Sequence, residues 1–512
     1  MSMKKIQSAL ISVYHKEGLD HIIHQLHDLG VTIYSTGGTQ TYIERLGVPV
    51  HTVEDLTSYP SILDGRVKTL HPKVFGGILA RREEAHLDQL KEYDIPALDL
   101  VIVDLYPFEE TVRSTGEEKK IIEKIDIGGI ALIRAGAKNY QDVIIVPSQQ
   151  QYQQLSDLLE AKAGYSDLAD RRSFATAAFA VSSHYDTMIH RYFAGGSSWN
   201  SQIPSFKESI PTSMEMRYGE NPHQSGRFFG PLDELLIQLG GKEISYNNLV
   251  DIDAAVGLMA EYQEDGPTVA VLKHTNPCGC AQADTVEEAW DRALAGDPVS
   301  AFGGIIICNQ KIDVGTAAKI DEIFYEVLIA PDFTPEAQAL LLKKKKRIIL
   351  QLKAYPDTKY QFKSILNGVI VQETDRSRES SNDLNWNTKR EGNDREVADL
   401  LFALRCVKHL KSNAICLVKD RQLVGMGCGQ TSRVDALNQA ILKARHYQLP
   451  LSGAVMASDA FFPFPDCVEI ADEAGITAVV QPGGSINDQK SIDYCDEHHM
   501  AMAITGIRHF RH

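Results

Sequence analysis

The feature that most constrains the fold is the alternation of short apolar segments with amphipathic helical segments in the N-terminal part of the chain. An apolar segment at 6–13 precedes a segment at 18–29 in which leucine and isoleucine recur at helical spacing. Further apolar segments lie at 31–34, 98–105 and 143–146, and 121–138 has a helical pattern. Strands that alternate with helices predict a parallel sheet covered by helices, so we predict an α/β fold.

A change of composition predicts the domain boundary. Helical stretches at about 148–162 and 168–193 are followed by a run rich in Gly, Ser and Pro at 194–211. We therefore predict a first domain at 1–195, a linker at 196–211 and a second domain at 212–512.

The second domain also mixes strands and helices. We predict helices at 397–409 and 434–447, and buried strands at 269–272, 304–308, 368–371, 414–418 and 478–480. A polar stretch at 374–396 either separates two subdomains or forms a long surface loop.

Length, charge and cysteine content narrow the function classes. The 512 residues are 43% hydrophobic and 23% charged, as expected for a globular protein. A net charge of −16 disfavours binding to nucleic acid, so a phosphorylated ligand needs its own local cations. The 8 cysteines are few for a disulfide framework. We expect a cytoplasmic protein, because the N-terminus is typical of a strand rather than a signal peptide and no apolar run is long enough for a membrane span.

Two segments of the first domain suit an anion. A turn of small residues after a predicted strand directs backbone N–H groups at a phosphate, although a plain strand-to-helix turn explains it too. Arg66 and Lys68 alternate along an extended segment and so lie on one side of it, where they suit a phosphate or an oxyanion. The turn consists of Ser35, Thr36, Gly37, Gly38 and Thr39.

Three further residues lie where open α/β sheets bind ligands or where helices begin and end. Tyr106 follows a predicted strand, although a tyrosine that only packs is the alternative. Asp126 precedes an apolar helix that ends at Lys138, and a helix cap is its alternative role.

These motifs together resemble a known family. S-T-G-G-T, D-G-R-V-K-T-L-H-P, D-L-Y-P-F and I-D-I-G-G followed by R-A-G-A-K-N are similar to the inosinate cyclohydrolase domain of the bifunctional purine biosynthesis proteins. The resemblance implies a methylglyoxal-synthase-like parallel-sheet fold and closure of the six-membered ring of inosine monophosphate. It implies that the nucleotide is bound by Ser12, Lys16, the turn at 35–39, Arg66, Lys68 and Thr69.

The same resemblance implies the groups that perform the ring closure. The ring-closing atoms are expected to be surrounded by Lys68, Tyr106, Asp126 and Lys138. The chain departs from the family where S-V-S-D-K is common near the N-terminus, because Tyr14 and His15 stand at the third and fourth positions. Ser12 and Lys16 match the pattern.

The second domain carries loops that suit a nucleotide. Arg217 and Tyr218 combine a cation with an aromatic face, although a plain surface loop is the default interpretation. Lys273 and His274 follow a predicted strand, where catalytic groups often lie, whereas a lone histidine is more often structural. Further loops carry S-A-F-G-G, K-S-N-A-I, Q-T-S-R and S-D-A-F-F-P-F, and the chain ends in R-H-F-R-H.

These segments, in this order, are similar to the folate-dependent transformylase half of the same family in its bacterial form, so the resemblance covers the whole chain. It implies two cytidine-deaminase-like subdomains, a homodimer and active sites built from both subunits. It also implies 10-formyltetrahydrofolate as co-substrate and further substrate contacts by Arg217, Tyr218, Phe302, Gly303, Arg433, Phe461, Phe462 and Arg508.

The implied first reaction moves a formyl group from 10-formyltetrahydrofolate to the 5-amino group of 5-aminoimidazole-4-carboxamide ribonucleotide. That amine is a poor nucleophile, because its lone pair is delocalised, so a base must remove its proton during attack, and we predict neutral His274 for this role. Lys273 is predicted to stabilise the formyl oxygen or protonate the folate nitrogen, and Asn413 to hold the imidazole or the oxyanion. Ring closure then loses water and needs no cofactor.

Two alternatives remain open at this point. P-C-G-C at 277–280 resembles half of a zinc deaminase signature, but only one residue separates its cysteines, so we predict no catalytic metal. A non-enzymatic nucleotide sensor could use the same phosphate turns. The presence of Lys68, Lys138, Lys273 and His274 favours the enzyme.

Overall fold

The computed structural model describes residues 3–196 and 205–512. The chain divides into two compact units, Met1–Pro211 and Thr212–His512. Half of the predicted linker, residues 197–204, lies outside the described residues. Within the described residues, no helix is long and apolar enough to cross a membrane.

The first unit alternates strands and helices. Short 3-10 helices lie at Leu63–Gly65 and Gln149–Gln151. Its strands are β1 (Lys4–Lys5), β2 (Ser8–Ser12), β3 (Thr32–Ser35), β4 (His51–Thr52), β5 (Leu100–Val103), β6 (Ile144–Val146) and β7 (Tyr165–Ser166). Its helices are α1 (Leu19–Asp28), α2 (Gly37–Arg45), α3 (Val53–Thr57), α4 (Pro72–Leu79), α5 (Glu84–Glu92), α6 (Phe108–Ser114), α7 (Glu118–Ile122), α8 (Gly128–Lys138), α9 (Tyr152–Lys162) and α10 (Leu168–Phe193).

A parallel sheet positions the site of the first unit. In the described part of this unit the order is β4-β3-β2-β5-β6, with every neighbouring pair parallel. Ala9 and Ile11 pack in one core and Leu10 in another, so β2 is covered on both faces. After β2 the chain continues to β3 on one side of the sheet, and after β5 it continues to β6 on the other side. Open α/β sheets bind ligands at the carboxyl ends of such a strand pair.

The second unit has more strands than the sequence patterns predict. It also contains a short 3-10 helix at Ser381–Asp383. Its strands are β8 (Ser213–Met216), β9 (Gly226–Phe229), β10 (Leu236–Gly240), β11 (Thr268–Lys273), β12 (Asn276–Gln282), β13 (Ile305–Cys308), β14 (Val327–Ala330), β15 (Ile348–Leu352), β16 (Tyr360–Ile365), β17 (Gly368–Glu373), β18 (Asn385–Trp386), β19 (Ile415–Lys419), β20 (Gln422–Gly427), β21 (Val455–Ser458), β22 (Ala478–Gln481) and β23 (Ala501–Ile504). Its helices are α11 (Leu232–Leu235), α12 (Tyr246–Ala260), α13 (Val286–Gly296), α14 (Val314–Ile320), α15 (Pro335–Leu341), α16 (Asp394–Lys408), α17 (Arg433–His446), α18 (Asp466–Glu473) and α19 (Asp488–Glu497).

The large sheet of this unit consists of two halves with the same topology. Its order over the described residues is β10-β15-β14-β13-β11-β12-β20-β19-β21-β22-β23-β18. In each half a hairpin is followed outward by one antiparallel neighbour, two parallel strands and an antiparallel edge strand. The halves meet where Ala281 of β12 pairs with Gln422 of β20. The strand order thus repeats once within the unit.

The structure confirms the α/β fold and the parallel sheet, and it corrects two predicted elements. Residues 121–138 do not form one helix, because α7 ends at Ile122 and α8 begins at Gly128. The strand predicted at 368–371 exists, but it is not buried: it forms the hairpin β16–β17, where Ile370 is 54% exposed. The run of apolar residues in this strand has the pattern of a buried strand, but most of the side chains of the hairpin are exposed.

The polar stretch at 374–396 is fixed at several points. It follows β17 and contains the short strand β18, which pairs with β23. Arg390 forms two hydrogen bonds of 2.7 Å with the buried carboxylate of Glu396. The stretch therefore leads into the second half of the sheet, and the predicted subdomain boundary there stays a prediction.

Candidate active site

Two lysines converge on the beginning of α2 in the first unit. Gly37 has a φ of +54°, and a Cβ added there would lie 2.9 Å from Lys68 Nζ. A Cβ added at Gly38 would lie 4.0 Å from Lys16 Nζ. Glycine is needed at Gly37 both for its backbone conformation and for the approach of the lysine. Two ammonium groups beside the N–H groups of a helix beginning form an anion-binding arrangement.

The hydroxyls of the 35–39 turn have different partners. Ser35 donates to Ile11 O at 2.7 Å, and Thr39 donates to Val13 O at 2.9 Å, so both fix the turn to β2. The Thr36 hydroxyl is buried and has no hydrogen-bond partner among the described residues. A buried hydroxyl without a partner is costly, so Thr36 is the member of the turn that is poised for a ligand.

Asp104 organises the loop after β2. Its carboxylate accepts hydrogen bonds from the backbone N–H groups of Tyr14 and His15, and lies 2.9 Å from His15 Nδ1. Lys16, the next residue, donates to Tyr14 O at 2.9 Å. The two positions that depart from the family pattern therefore hold the backbone that carries Lys16, while the half-buried Ser12 ends β2 beside them.

An aromatic and acidic group lies at the end of β5. The Tyr14 and Tyr106 rings are 5.7 Å apart, and Lys124 Nζ lies 5.1 Å and 5.4 Å from their centroids. Burial raises the pKa of the Tyr106 hydroxyl, and the nearby carboxylates of Asp126 and Glu123 raise it further. Tyr106 is thus held as a neutral hydroxyl that can donate or relay a proton.

Asp126 is buried at the beginning of α8. Gly129 N–H donates to its carboxylate at 2.5 Å, and burial raises the pKa of this carboxyl. A Cβ added at Gly128 would lie 2.9 Å from the Thr69 hydroxyl, so Thr69 lies at the same helix beginning. Asp126 therefore accepts from an N–H group in the first turn of α8, one residue before the N-cap Ile127, and also presents an acid of raised pKa.

The structure does not bring Lys138 to this group. Lys138 ends α8, and at a rise of 1.5 Å per residue it is about 15 Å along the axis from Gly128. It lines a separate cavity of about 680 Å³ with Lys4 and Asp142. The two residues stand at opposite ends of α8, and the prediction that Lys138 surrounds the same atoms as Asp126 stays a prediction. Arg66, in contrast, is exposed and pairs with Glu123 at 2.5 Å.

In the second unit, Lys273 and His274 lie at a hairpin turn. His274 and Thr275 join β11 to β12 with φ values of 48° and 68°. This turn has left-handed backbone at both central residues, which fits a two-residue hairpin. Asp251 of α12 accepts a hydrogen bond from Thr275 N at 2.9 Å, and burial raises the pKa of its carboxyl. The turn is therefore fixed by α12, and the imidazole of His274 is exposed.

Lys273 is directed at the loop before β13. Its Nζ donates to Phe302 O at 2.8 Å, and a Cβ added at Gly303 would lie 3.2 Å away from that nitrogen. Phe302 is 62% exposed, and its ring lies 5.4 Å from that of Phe324. The hairpin and the S-A-F-G-G loop therefore form one surface with a cation and an open aromatic face.

Asn413 and Arg433 are tied to each other. Asn413 donates to Gln430 O at 2.9 Å and accepts from Arg433 at 2.9 Å. Arg433 also contacts the buried carboxylate of Asp459 and donates to Ser458 at 3.2 Å. Since Arg433 is only 8% exposed, these contacts give it a structural role that the sequence did not predict. The side chain of Asn413 is likewise occupied by contacts within the unit.

The predicted aromatic residues separate into exposed and buried positions. Phe461 is 37% exposed, whereas Phe462 is completely buried in the core under the sheet, so Phe462 cannot flank a ligand in this conformation. Arg217 Cζ lies 5.7 Å from the Tyr218 ring, and Arg508 Cζ lies 4.4 Å from the Phe510 ring. Both arginines are exposed cations that rest on aromatic faces.

The P-C-G-C segment lies inside β12. A register shift next to Cys278 turns its side chain to the core on one face, while Cys280 packs in the core on the other face. Burial raises the pKa of the Cys278 thiol to about 12. Thiols on opposite faces of a sheet cannot bind one metal ion, so this segment is a buried strand in the described structure.

Sequence reasoning missed several residues at these sites. Lys124 and Asp251 belong to none of the predicted motifs, and Asp104 stands in D-L-Y-P-F without a role having been predicted for it. For Asp104 a signal existed, because it directly follows the apolar segment that forms β5. Asp251 and Lys124 carry no comparable signal, since each depends on a contact between distant segments.

Comparisons with known proteins show the family of the chain. The family model for the AICARFT/IMPCHase bienzyme matches residues 136–443, and that for the MGS-like domain matches residues 18–131. The Bifunctional purine biosynthesis protein PurH of Bacteroides thetaiotaomicron is 58% identical over 99% of both chains. PurH of Chlorobium chlorochromatii is 44% identical over 100% of both chains, and PurH of Acetivibrio thermocellus is 43% identical over 99% of this chain and 100% of that protein. The chain therefore belongs to the AICARFT/IMPCHase bienzyme family.

Proposed function

We propose that this chain catalyses the last two steps of purine biosynthesis, with formyl transfer in the second unit and ring closure in the first. Family membership supports both activities. The observation that carries the proposal is that each unit has its own reactive group on a fixed backbone: the Lys273–His274 turn in one, and Lys16, Lys68 and Asp126 around helix beginnings in the other.

In formyl transfer, the 5-amino group of the aminoimidazole ribonucleotide attacks the formyl carbon of 10-formyltetrahydrofolate. His274 takes the proton from the attacking amine, which is supported by its exposure on a rigid turn. Lys273 stabilises the charge that develops on the formyl oxygen. As the bond to the folate nitrogen breaks, that nitrogen receives a proton and tetrahydrofolate leaves.

Substrate binding in the second unit uses the exposed members of the predicted set. The phosphate and carboxamide are bound by Arg217 and Arg508, and the planar rings pack against Tyr218, Phe302 and Phe461. Gly303 lets Lys273 approach Phe302. Asn413 and Arg433 act indirectly, since they hold the loops around the site through their contacts with each other.

In ring closure, the carboxamide nitrogen attacks the formyl carbon and water is lost. Lys16, Lys68 and Thr36 bind the phosphate at the beginning of α2, and Thr69 adds a hydroxyl beside α8. Asp126 and Tyr106 move the protons, because burial holds each in its protonated form to a higher pH than usual. The step needs no co-substrate.

The cellular setting follows from the same proposal. The chain acts in the cytoplasm as a homodimer, binds nucleotide and folate rather than nucleic acid, and uses no catalytic metal ion. Its net charge of −16 supports the preference for small ligands over nucleic acid.

The decisive experiment incubates purified protein with the aminoimidazole ribonucleotide and 10-formyltetrahydrofolate in the presence of a chelator and separates the products. Inosine monophosphate is the expected product. Formation of no product, with both substrates bound, would favour a nucleotide sensor, and activity that the chelator abolishes would contradict the metal-free reaction.

A variant assigns ring closure to the first unit. Lys68→Ala should accumulate the formylated intermediate, because formyl transfer in the second unit continues. Lys119→Ala, an exposed lysine of α7, is the matched control and should form inosine monophosphate at the wild-type rate. Wild-type product formation by Lys68→Ala would remove Lys68 from the site.

A further inference from the structure

The C-terminal tail, residues 505–512, alternates between exposed and buried side chains. Arg508, Phe510 and His512 are exposed, whereas His509 is 3% exposed and Arg511 is half-buried. This period of two is that of an extended segment with one face against the protein. A slip of one residue would bury the exposed set and expose the other, so some contact must fix the register.

His509 makes the contacts that fix it. Its Nδ1 lies 2.7 Å from Asp375 Oδ2 and its Nε2 lies 2.6 Å from Glu379 Oε1. Its backbone N–H donates to Asp459 O at 3.1 Å. Both ring nitrogens therefore face carboxylates from the 374–396 stretch, which needs the imidazole to carry two protons and a positive charge.

A second contact holds the tail next to the transformylase loops. Arg511 N donates to Ser412 Oγ at 3.1 Å, and Ser412 N donates to Arg511 O at 3.0 Å. Arg511 and His512 line a cavity of about 180 Å³ together with Thr275 and Asn276 of the catalytic hairpin. The tail thus reaches the turn that carries His274.

The exposed face of the tail is continuous. The Arg508 guanidinium lies 4.4 Å from the Phe510 ring centroid, and the Phe510 and His512 rings are 5.5 Å apart. A cation on an aromatic ring suits a phosphate beside a planar base. This face exists only in the register that buries His509.

We propose that His509 is a positioning residue for formyl transfer: clamped between Asp375 and Glu379, it sets the tail register that presents Arg508 to the nucleotide. The proposal rests on the proposed function, and it gives the polar stretch at 374–396 a role in that reaction. His509 itself does not touch substrate.

The charges around the His509 clamp, that is, His509 with Asp375 and Glu379, determine its pH dependence. Burial lowers the pKa of His509, but the hydrogen bonds to Asp375 and Glu379 outweigh it and raise the pKa to about 9. Lys408 of α16 also faces this group, 3.9 Å from Asp375 and 2.9 Å from Glu261. Because the folded pKa lies above 6.5, the clamp stabilises the tail fully below about pH 6.5 and is lost as pH rises through about 9.

The test compares His509→Gln with His498→Gln, an exposed histidine after α19. His509→Gln should raise the KM for the aminoimidazole ribonucleotide by about tenfold or more with a smaller change in kcat, since a lost contact to a charged group has that size. Amide exchange in the tail should accelerate at least about tenfold. Ring closure of supplied intermediate should stay unchanged in the first unit, and a wild-type urea unfolding transition of the second unit shows that the variant is folded.

A second variant separates the clamp from simple packing. His509→Lys keeps a cation between the carboxylates, so it should recover more of the lost affinity than His509→Gln and move the rise in KM to higher pH than in the wild type. Unchanged KM and tail exchange in His509→Gln would overturn the proposal, as would equal defects in both variants.

Two further outcomes concern a His509→Gln variant that does not fold and a wild type without formyl transfer. If His509→Gln does not fold, Glu379→Gln removes the same contact from the other side, and normal tail exchange and KM in that variant would overturn the proposal. Absence of formyl transfer in the wild type, with faster tail exchange in His509→Gln, would refute the proposed function while the clamp itself stands.

Discussion

The two hairpins at the centre of the large sheet have the same backbone and different chemistry. His274 and Thr275 turn β11 into β12, and Asp420 and Arg421 turn β19 into β20, all with φ between 48° and 68°. In each half a helix carboxylate accepts from the turn: Asp251 from Thr275 N, and its counterpart Asp399 from both N–H groups of the second turn. The scaffold is thus repeated, and the two halves differ in the side chains of the turn, which are His274 and Thr275 in one and Asp420 and Arg421 in the other.

The largest expected effect separates the turns by activity. His274→Asn should lower formyl transfer by about 10²- to 10⁴-fold, because it removes the base while asparagine tolerates the left-handed turn. Asp420→Asn, the matched change in the other half, should leave the rate within about twofold. Steady-state assays of both half-reactions measure this, and ring closure should be normal in both variants. Equal losses of formyl transfer would end the functional distinction between the turns.

The next largest effect tests the close approach of a strand glycine to a helix backbone, which both halves of the sheet share. A Cβ added at Gly279 of β12 would lie 1.9 Å from Ala293 O, and one added at Gly425 of β20 would lie 2.3 Å from Ala440 O. Gly279→Ala and Gly425→Ala should therefore each lower the free energy of unfolding by about 1–3 kcal/mol, since a helix backbone must move. Urea denaturation measures both. Tolerance at one position alone would show that the halves pack differently.

The smallest effect concerns the carboxylates of Asp251 and Asp399, which accept hydrogen bonds from the N–H groups of the turns. Asp399→Asn should change the free energy of unfolding at pH 7 by at most about 1 kcal/mol, because two N–H groups lose a charged acceptor while a charge that burial disfavours is removed, and Asp251→Asn should change it less. We expect formyl transfer by Asp251→Asn to stay within about tenfold of the wild type. A loss as large as that of His274→Asn would place Asp251 in the reaction.

These carboxyls also have a defined pH effect on stability. Burial raises the pKa of both Asp251 and Asp399 above 3.8, so the folded chain takes up these protons at a higher pH than the unfolded chain. As the pH falls through the raised pKa values towards 3.8, protonation of the two carboxyls increases the free energy of unfolding. Each Asn variant lacks one of these carboxyls and should lose that carboxyl's part of the increase. Urea midpoints measured between pH 7 and pH 4 would show it, and a steeper gain in the variants would contradict it.

Local patterns predicted four of the five strands in the parallel sheet of the first unit, but not β4 or the helices α3, α4 and α5. Alternating segments predicted its parallel sheet, and the small-residue turn at 35–39 predicted the beginning of α2. The break before Gly128 was missed because Ile121 and Ile125 continue a helical spacing through it. The separation of Lys138 from Asp126 along α8 was not predicted either, because the resemblance grouped the two residues by role and not by position.

The second unit was harder to predict because its organisation depends on pairing between distant strands. Individual buried strands such as β13 and β19 were predicted, but the repeat of strand order was not. The substrate contacts predicted for Arg433 and Phe462 stay predictions, and their motifs did not indicate the ion pair of Arg433 with Asp459 or the core position of Phe462. The membership of Lys273 and Phe302 in one surface was suggested by the resemblance and is consistent with their contact.

The edge strands of the large sheet have a consequence for how the chain folds. Leu236 of β10 pairs with Leu352 of β15, and Asn385 of β18 pairs with Ile504 of β23, so each edge closes a long loop. The hairpins β11–β12 and β19–β20 close only two residues. Since the entropy of loop closure grows with loop length and non-local pairing is slow, each half is expected to nucleate at its hairpin and to complete its edge last. The turn that carries His274 would then be among the first parts of its unit to form during synthesis.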